Sequence, residues 1–153
     1  MPPVAVTDFK NLHILIVDDD TATLGVIEGL LNTLDVGLVS RALSGAEAFT
    51  VLAKPVRVVD IVLCDYTMAN GNGLQLLQAV RMGQIKLVRP DTCFILLTAS
   101  GDAATVSVAA QLDVSGYVVK PATPDKLRAA IVKARTRAIK INFNKYAQVA
   151  VPD

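Results

Sequence analysis

Asp18-Asp19, Asp65, Thr98 and Lys120 each stand at or just beyond the end of a short apolar run: LHILIV, VVDIVLC, CFILL and YVV. If those runs are parallel strands, the five side chains converge on one shallow cleft. Carboxylates gathered there repel: two unit charges roughly 4 Å apart cost about 4 kcal/mol at an effective dielectric near 20. Either one carboxylate keeps its proton or a cation sits between them. A small hard cation with oxygen ligands in an open, partly hydrated site describes Mg²⁺. Lys120 adds a positive charge, and with Mg²⁺ it would neutralise the oxygens of an incoming phosphoryl group. Thr98 offers a hydroxyl donor to one of those oxygens. No serine–base or cysteine–base pair is suitably placed, so the expected nucleophile is a carboxylate, which would form an acyl phosphate. Asp65 is favoured because it stands alone on a central strand, whereas Asp18 and Asp19 form a metal-side pair.

Positioning these residues requires regular elements, and the pattern supplies five strand–helix units. Leu12 to Val17 is the first strand, and Ile27, Leu30, Leu31 and Leu34 then mark one helical face. Val36 to Ala42 is a weaker second strand. Ser44-Gly45-Ala46-Glu47 matches a capping box and starts a helix expected to bury Phe49 and Leu52. Val58 to Cys64 is the third strand, ending on Asp65. Tyr66 to Gly73 reads as a loop, with turn residues in Asn70-Gly71-Asn72-Gly73. Leu74, Leu77 and Val80 mark the next helix, and Arg81 to Asp91 a longer connector. Cys93 to Leu97 is the fourth strand; Asp102 can cap a helix carrying Val106, Ala109, Ala110 and Leu112. Tyr117 to Val119 is the fifth strand. Thr123-Pro124-Asp125 starts the last helix, whose expected buried face is Leu127, Ala130, Ile131 and Ala134. Near-continuously apolar strands separated by helices mean an α/β fold: a doubly wound parallel sheet covered on both faces. Ligands in such folds bind at the carboxyl ends of the strands.

Composition narrows the function classes. One domain fits 153 residues, and 52% hydrophobic residues suffice for a core. A net charge of +1 points to neither nucleic acid nor an acidic partner. The start MPPVAVTDFKN lacks signal-peptide features, and no apolar run approaches the roughly 18 residues of a membrane span. The expected location is the cytoplasm, with no membrane insertion. Cys64 and Cys93 are too few for a disulfide framework or a zinc site. If the third and fourth strands are neighbours, the two lie too far apart along the sheet to bond, so two free thiols are expected.

The segments ILIVDDD, DIVLCDYTMANGNG, FILLTAS and GYVVKP, in that order and each at a strand end, resemble the CheY-like receiver family of two-component response regulators, in its single-domain form. The resemblance spans roughly Leu12 to Arg137. It divides the chain into an N-terminal extension (1–11), a receiver body (12–138) and a tail (139–153). It implies a five-stranded flavodoxin-like sheet in the order 2-1-3-4-5. It also implies that Asp65 is the phosphoacceptor, that Asp19 and Asp65 contact Mg²⁺ directly, and that Asp18 helps directly or through water. The Thr67 backbone carbonyl would add a ligand, and Lys120 would bind the phosphoryl group beside a cis Lys120–Pro121 bond. Thr98 would move toward the phosphoryl group and Tyr117 would swing in behind it, switching the face formed by helix four, strand five and helix five. The implied partners are a histidine kinase or histidine phosphotransfer protein upstream and a protein target downstream, with a homodimer as an option. Two features depart from the family. Met68-Ala69 replaces a frequent Met-Pro, and Thr67 and Ser100, at positions that influence aspartyl-phosphate hydrolysis, are neither charged nor bulky.

Plainer readings stand beside these. Asp20 is expected to be only a helix cap. Tyr117 could be a half-buried core aromatic. His13, the only histidine, starts a strand and is read as structural rather than as a phosphoryl donor. The basic C-terminal residues Lys126, Arg128, Lys133, Arg135, Arg137, Lys140 and Lys145 read as a solvated face or a partner-docking surface, without a nucleic-acid-binding motif. The tail from Ile141 has three readings: it extends the last helix, packs on the body or joins a dimer. Two other functions compete with the phosphoacceptor. One is a pseudo-receiver that binds partners without phosphorylation, against which intact Asp19, Asp65, Thr98 and Lys120 argue. The other is a phosphotransferase or phosphatase acting on small molecules, for which no second acid–base group appears. Any chemistry is otherwise expected to be limited to Mg²⁺-dependent self-phosphorylation and autodephosphorylation by a signalling switch.

Overall fold

Every residue of His13–Val17 is buried, and so is every residue of Ile61–Asp65; strands with no solvent face need cover on both sides. The computed structural model describes residues 7–68, 71–99 and 103–151. Five strands form one parallel sheet: β1 (His13–Val17), β2 (Leu38–Ala42), β3 (Ile61–Asp65), β4 (Cys93–Thr98) and β5 (Gly116–Val119). They lie in the expected order β2-β1-β3-β4-β5. The helices are α1 (Thr21–Thr33), α2 (Gly45–Ala53), α3 (Gly73–Arg81), α4 (Ala103–Gln111), α5 (Pro124–Thr136) and the short α6 (Phe143–Ala147).

Alternation along the strands makes two cores. Ile14, Ile16, Ile61, Leu63, Ile95 and Leu97 face α1 and α5, where Leu24, Ile27, Leu31, Leu127 and Ile131 close over them. Leu15, Val17, Val62, Cys64, Phe94 and Leu96 face α2, α3 and α4. Each fully buried aliphatic side chain contributes about 1.5–3 kcal/mol. None of the described helices is long and apolar enough to cross a membrane.

Side-chain caps set the starts of α1, α2 and α5. Asp20 accepts from the Ala22 amide at 3.0 Å and from the Thr23 hydroxyl at 2.8 Å, Ser44 from the Glu47 amide at 3.0 Å, and Thr123 from the Lys126 amide at 3.2 Å. Each such cap is worth about 1 kcal/mol. Asp20 is therefore the cap it was expected to be. The expected cap at Asp102 lies outside the described residues, as do Ala69, Asn70, Ser100 and Gly101.

Several expectations need correction. Phe49 is 41% exposed, and α2 buries Ala48 and Leu52 instead, because Phe49 falls one residue off the inward face. Ala110 is exposed; α4 turns Ala109 inward, with Leu112 just beyond its end. The second strand starts at Leu38 rather than Val36, and the third at Ile61 rather than Val58, which is exposed. Apolar character alone overran these strands, since pairing with β1 decides where they begin. The stretch after Asp65 is a small antiparallel ladder pairing Thr67–Met68 with Gly71–Asn72, not plain loop. Arg81 is the last residue of α3, not connector, and is fully buried.

The cysteine register is as expected. Cys64 pairs with Leu96 while Cys93 pairs with Ile61, an offset near 10 Å at about 3.3 Å per residue. Both thiols are free. His13 is buried, with Nδ1 2.7 Å from the Arg57 carbonyl and Nε2 2.7 Å from the Ser40 hydroxyl. Both ring nitrogens are thus occupied in a structural role. Of the three readings of the tail, packing on the body is the one seen. Tyr146 and Val149 are buried against the α3 side, and the Gln78 amide donates to both their carbonyls at 3.0 Å.

Candidate functional site

The sheet brings the strand ends together. The Asp18 amide, just past β1, donates to the Ala42 carbonyl at 3.1 Å, and the Tyr66 amide, just past β3, donates to the Leu97 carbonyl at 2.9 Å. The Lys120 amide donates to the Thr98 carbonyl at 2.7 Å. These crosslinks extend the parallel ladder by a residue and fix where the polar side chains emerge. The Asp18 and Asp65 carboxyls are buried, whereas Asp19 is exposed. One carboxylate oxygen from each of the three lies within 4.8 Å of the others.

Lys120 reaches into this cluster, with Nζ 3.1 Å from Asp65 Oδ1 and 3.5 Å from Asp18 Oδ2. The peptide bond that follows, Lys120–Pro121, is cis. Burial pushes the Asp65 carboxyl above the ordinary carboxylate range, with the Asp18 charge adding to the rise. Lys120 and the Thr67 amide, which hydrogen-bond it, oppose the shift. Burial works against the charged form of Lys120, but its bond to Asp65 and the two nearby carboxylates outweigh it and raise its pKa. Lys120 therefore holds its proton firmly. When all are ionised, three carboxylates against one ammonium leave two negative charges. That excess, the all-oxygen donor set and the exposed Asp19 side suit a hard divalent cation. The residues present fit Mg²⁺.

Thr98 is buried at the end of β4, one residue beyond Leu97, the partner of Asp65. Tyr117 lies half-buried on β5, its hydroxyl donating to the Val106 carbonyl of α4 at 3.0 Å. Thr67 is exposed in the short ladder after Asp65. Beside Lys120, a groove of about 500 Å³ runs between α1 and the β5–α5 turn, lined by Val26, Ile27, Ala99, Pro121 and Ala122 among others. Asp18, Asp19, Asp65 and Lys120 therefore share one cleft, with Thr98 at the neighbouring strand end. Tyr117 is held at α4.

Gly73 is a site residue that the sequence reading treated only as turn material. A Cβ there would lie 2.7 Å from the Asp65 carbonyl oxygen, 3.0 Å from Leu96 and 3.1 Å from Cys64 Sγ. Its amide donates to the Tyr66 carbonyl at 2.9 Å. Only glycine lets α3 start this close to the Asp65 backbone. The sequence signal was a glycine at the expected helix start, but the close contact is between segments and leaves no periodic trace.

Known proteins resemble this chain in sequence and in fold. The sequence profile of the response regulator receiver domain matches residues 14–132. The probable chemotaxis protein CheY of Rhizobium etli is 32% identical over 125 residues, 80% of this chain and 91% of that protein. The transcriptional regulatory protein GlrR of Escherichia coli is 32% identical over 142 residues, which cover 93% of this chain but 30% of that protein. The structure of a response regulator receiver domain protein from Clostridium thermocellum superposes with a TM-score of 0.69 at 29% identity, covering 80% of this chain and 93% of that one.

Proposed function

The chain belongs to the response regulator receiver domain family, and on that premise we propose that it is a phosphoacceptor switch whose acceptor is Asp65. The observation that carries this reading is the carboxylate cluster of Asp18, Asp19 and Asp65 with Lys120 Nζ 3.1 Å from Asp65. In the proposed reaction an Asp65 oxygen attacks phosphorus and the bond from phosphorus to the donor nitrogen breaks, leaving an acyl phosphate and a free imidazole. Lys120 neutralises a phosphoryl oxygen as charge builds, and the Thr98 hydroxyl donates to another. Asp18, Asp19, Asp65 and the Thr67 carbonyl are the residues to hold Mg²⁺, which when bound supplies further neutralisation of phosphoryl charge. Water later attacks the acyl phosphate and restores Asp65.

The phosphoryl donor in this reading is a histidine kinase or a histidine phosphotransfer protein, and the chain works as a signalling switch rather than a turnover enzyme. Thr98 and Tyr117 are the proposed switch pair. The output is a protein contact on the α4–β5–α5 face, and the work belongs to the 12–138 body in the cytoplasm. Incubation with Mg²⁺ and a small acyl-phosphate donor should add one phosphate per chain, detected by intact mass. Asp65→Asn should abolish the addition; labelling that survives in this variant would sink the assignment.

A further inference from the structure

Helix α4 is lightly held. Among its described side chains, only Ala109 is fully buried, and the Tyr117 hydroxyl ties its first half to β5. Its C-terminal turn is anchored more heavily, and three of the anchoring side chains come from the segment after α5. Asp113 closes the helix with a left-handed φ of 51°. Its carboxylate accepts from the Tyr146 hydroxyl at 2.5 Å and pairs with Lys145 Nζ at 3.2 Å. Arg137 donates to the Val114 carbonyl at 2.8 Å. The same segment is fastened to α3 through Gln78, which donates to the Tyr146 and Val149 carbonyls. Ile141 and Val151, partly buried, pack against the core cluster that contains Tyr146 and Val149. Residues 137–151 thus bridge α3 and the end of α4, at the opposite end of α4 from the carboxylate cleft.

We propose that residues 137–151 are a strap whose docking opposes phosphorylation, so that a phosphoryl group on Asp65 loosens the strap and a loosened strap favours the phosphoryl group. The proposal rests on the reading of Asp65 and Thr98 given above. Helix α4 is the next element in the chain after Thr98, and the Tyr117 hydroxyl holds its first half to β5. In this proposal a phosphoryl oxygen that draws the Thr98 hydroxyl inward, with Tyr117 following, therefore pulls on the near end of the helix. A helix moves as a stiff rod, and the strap holds its far end at Asp113 and Val114. Two sites that compete for the position of one element are coupled, and the coupling is reciprocal.

The test uses the full chain with Mg²⁺ and beryllofluoride, a tetrahedral phosphoryl mimic, followed by amide hydrogen exchange. The Tyr146, Gln148 and Val149 amides, hydrogen-bonded here, should exchange at least threefold faster once the mimic is bound. Tyr146→Phe keeps the buried ring and removes the bond to Asp113, while Gln78→Ala cuts the strap from the α3 side. Each should lower the half-saturating mimic concentration at least threefold, with a cooperative thermal melt confirming the fold. Should Tyr146→Phe not fold, Gln78→Ala decides. Mimic binding with unchanged exchange in the tail, or with wild-type midpoints in the folded variants, overturns the strap alone. Failure of the wild type to bind the mimic overturns the Asp65 reading and the strap with it.

Discussion

Lys120 serves two carboxylates at once, 3.1 Å from Asp65 and 3.5 Å from Asp18. Its charge does two things that can be separated. It relieves repulsion in the resting cluster, and in the proposed reaction it meets charge that develops only as phosphorus is transferred. Lys120→Ala should therefore slow labelling from a small acyl-phosphate donor by about 10²–10³-fold, the range seen when one preorganised electrostatic partner is removed. The carboxylates remain, so Mg²⁺ should still raise the melting temperature of this variant. A labelling rate within threefold of wild type would show that Lys120 is not the phosphoryl partner.

At the scale of elements, helix α3 is fixed at both ends, and its first residue bears on the cleft. Gly73 lets α3 begin against the Asp65 carbonyl, and Gly73→Ala would force a Cβ to 2.7 Å from that oxygen. Such overpacking against backbone costs about 1–3 kcal/mol. Because Asp65 itself would shift, the variant should lose both denaturant midpoint and labelling rate, whereas a purely structural clash would lower only the midpoint. At the other end of α3, Arg81 is buried and donates to the carbonyls of Pro90, Thr92, Leu112 and Asp113 at 2.6–3.2 Å. Burial lowers its pKa, and these carbonyls accept the guanidinium's hydrogen bonds. Arg81→Met would strip donors from several buried carbonyls and should reduce unfolding stability by about 3 kcal/mol or more, read from urea denaturation.

For the whole molecule, the tail adds a pH dependence remote from the cleft. Burial, together with the bond to Asp113, pushes the Tyr146 phenol up to about 12 from its ordinary 10.0. Between those values the unfolded chain sheds a proton that the folded chain keeps. The folded state then binds more protons, so stability falls as pH rises through that window. Below about pH 10 the contribution is present in full. Tyr146→Phe should be less stable than wild type near neutrality, and the difference should shrink as pH rises from 10 toward 12. Urea midpoints of the two proteins across that range check the sign; a constant difference would contradict it.

The strand-end residues Asp18, Asp19, Asp65, Thr98 and Lys120 were legible in the sequence, because each follows an apolar run and parallel α/β sheets gather such ends at one edge. The buried face of α5 was legible in local periodicity, whereas the order of the five strands came from the family resemblance that the strand-end segments carry. What the sequence could not determine was anything decided between distant segments. The inward side of α2, which leaves Phe49 outside, depends on how the helix rolls against α3 and the sheet. The burial of Arg81 depends on carbonyls contributed by residues 90–92 and 112–113. The seat of the tail depends on Gln78 and Asp113, which carry no local signal for it. Short-range pattern specifies elements and their ends, but contacts between segments far apart in the chain exist only once those elements have packed.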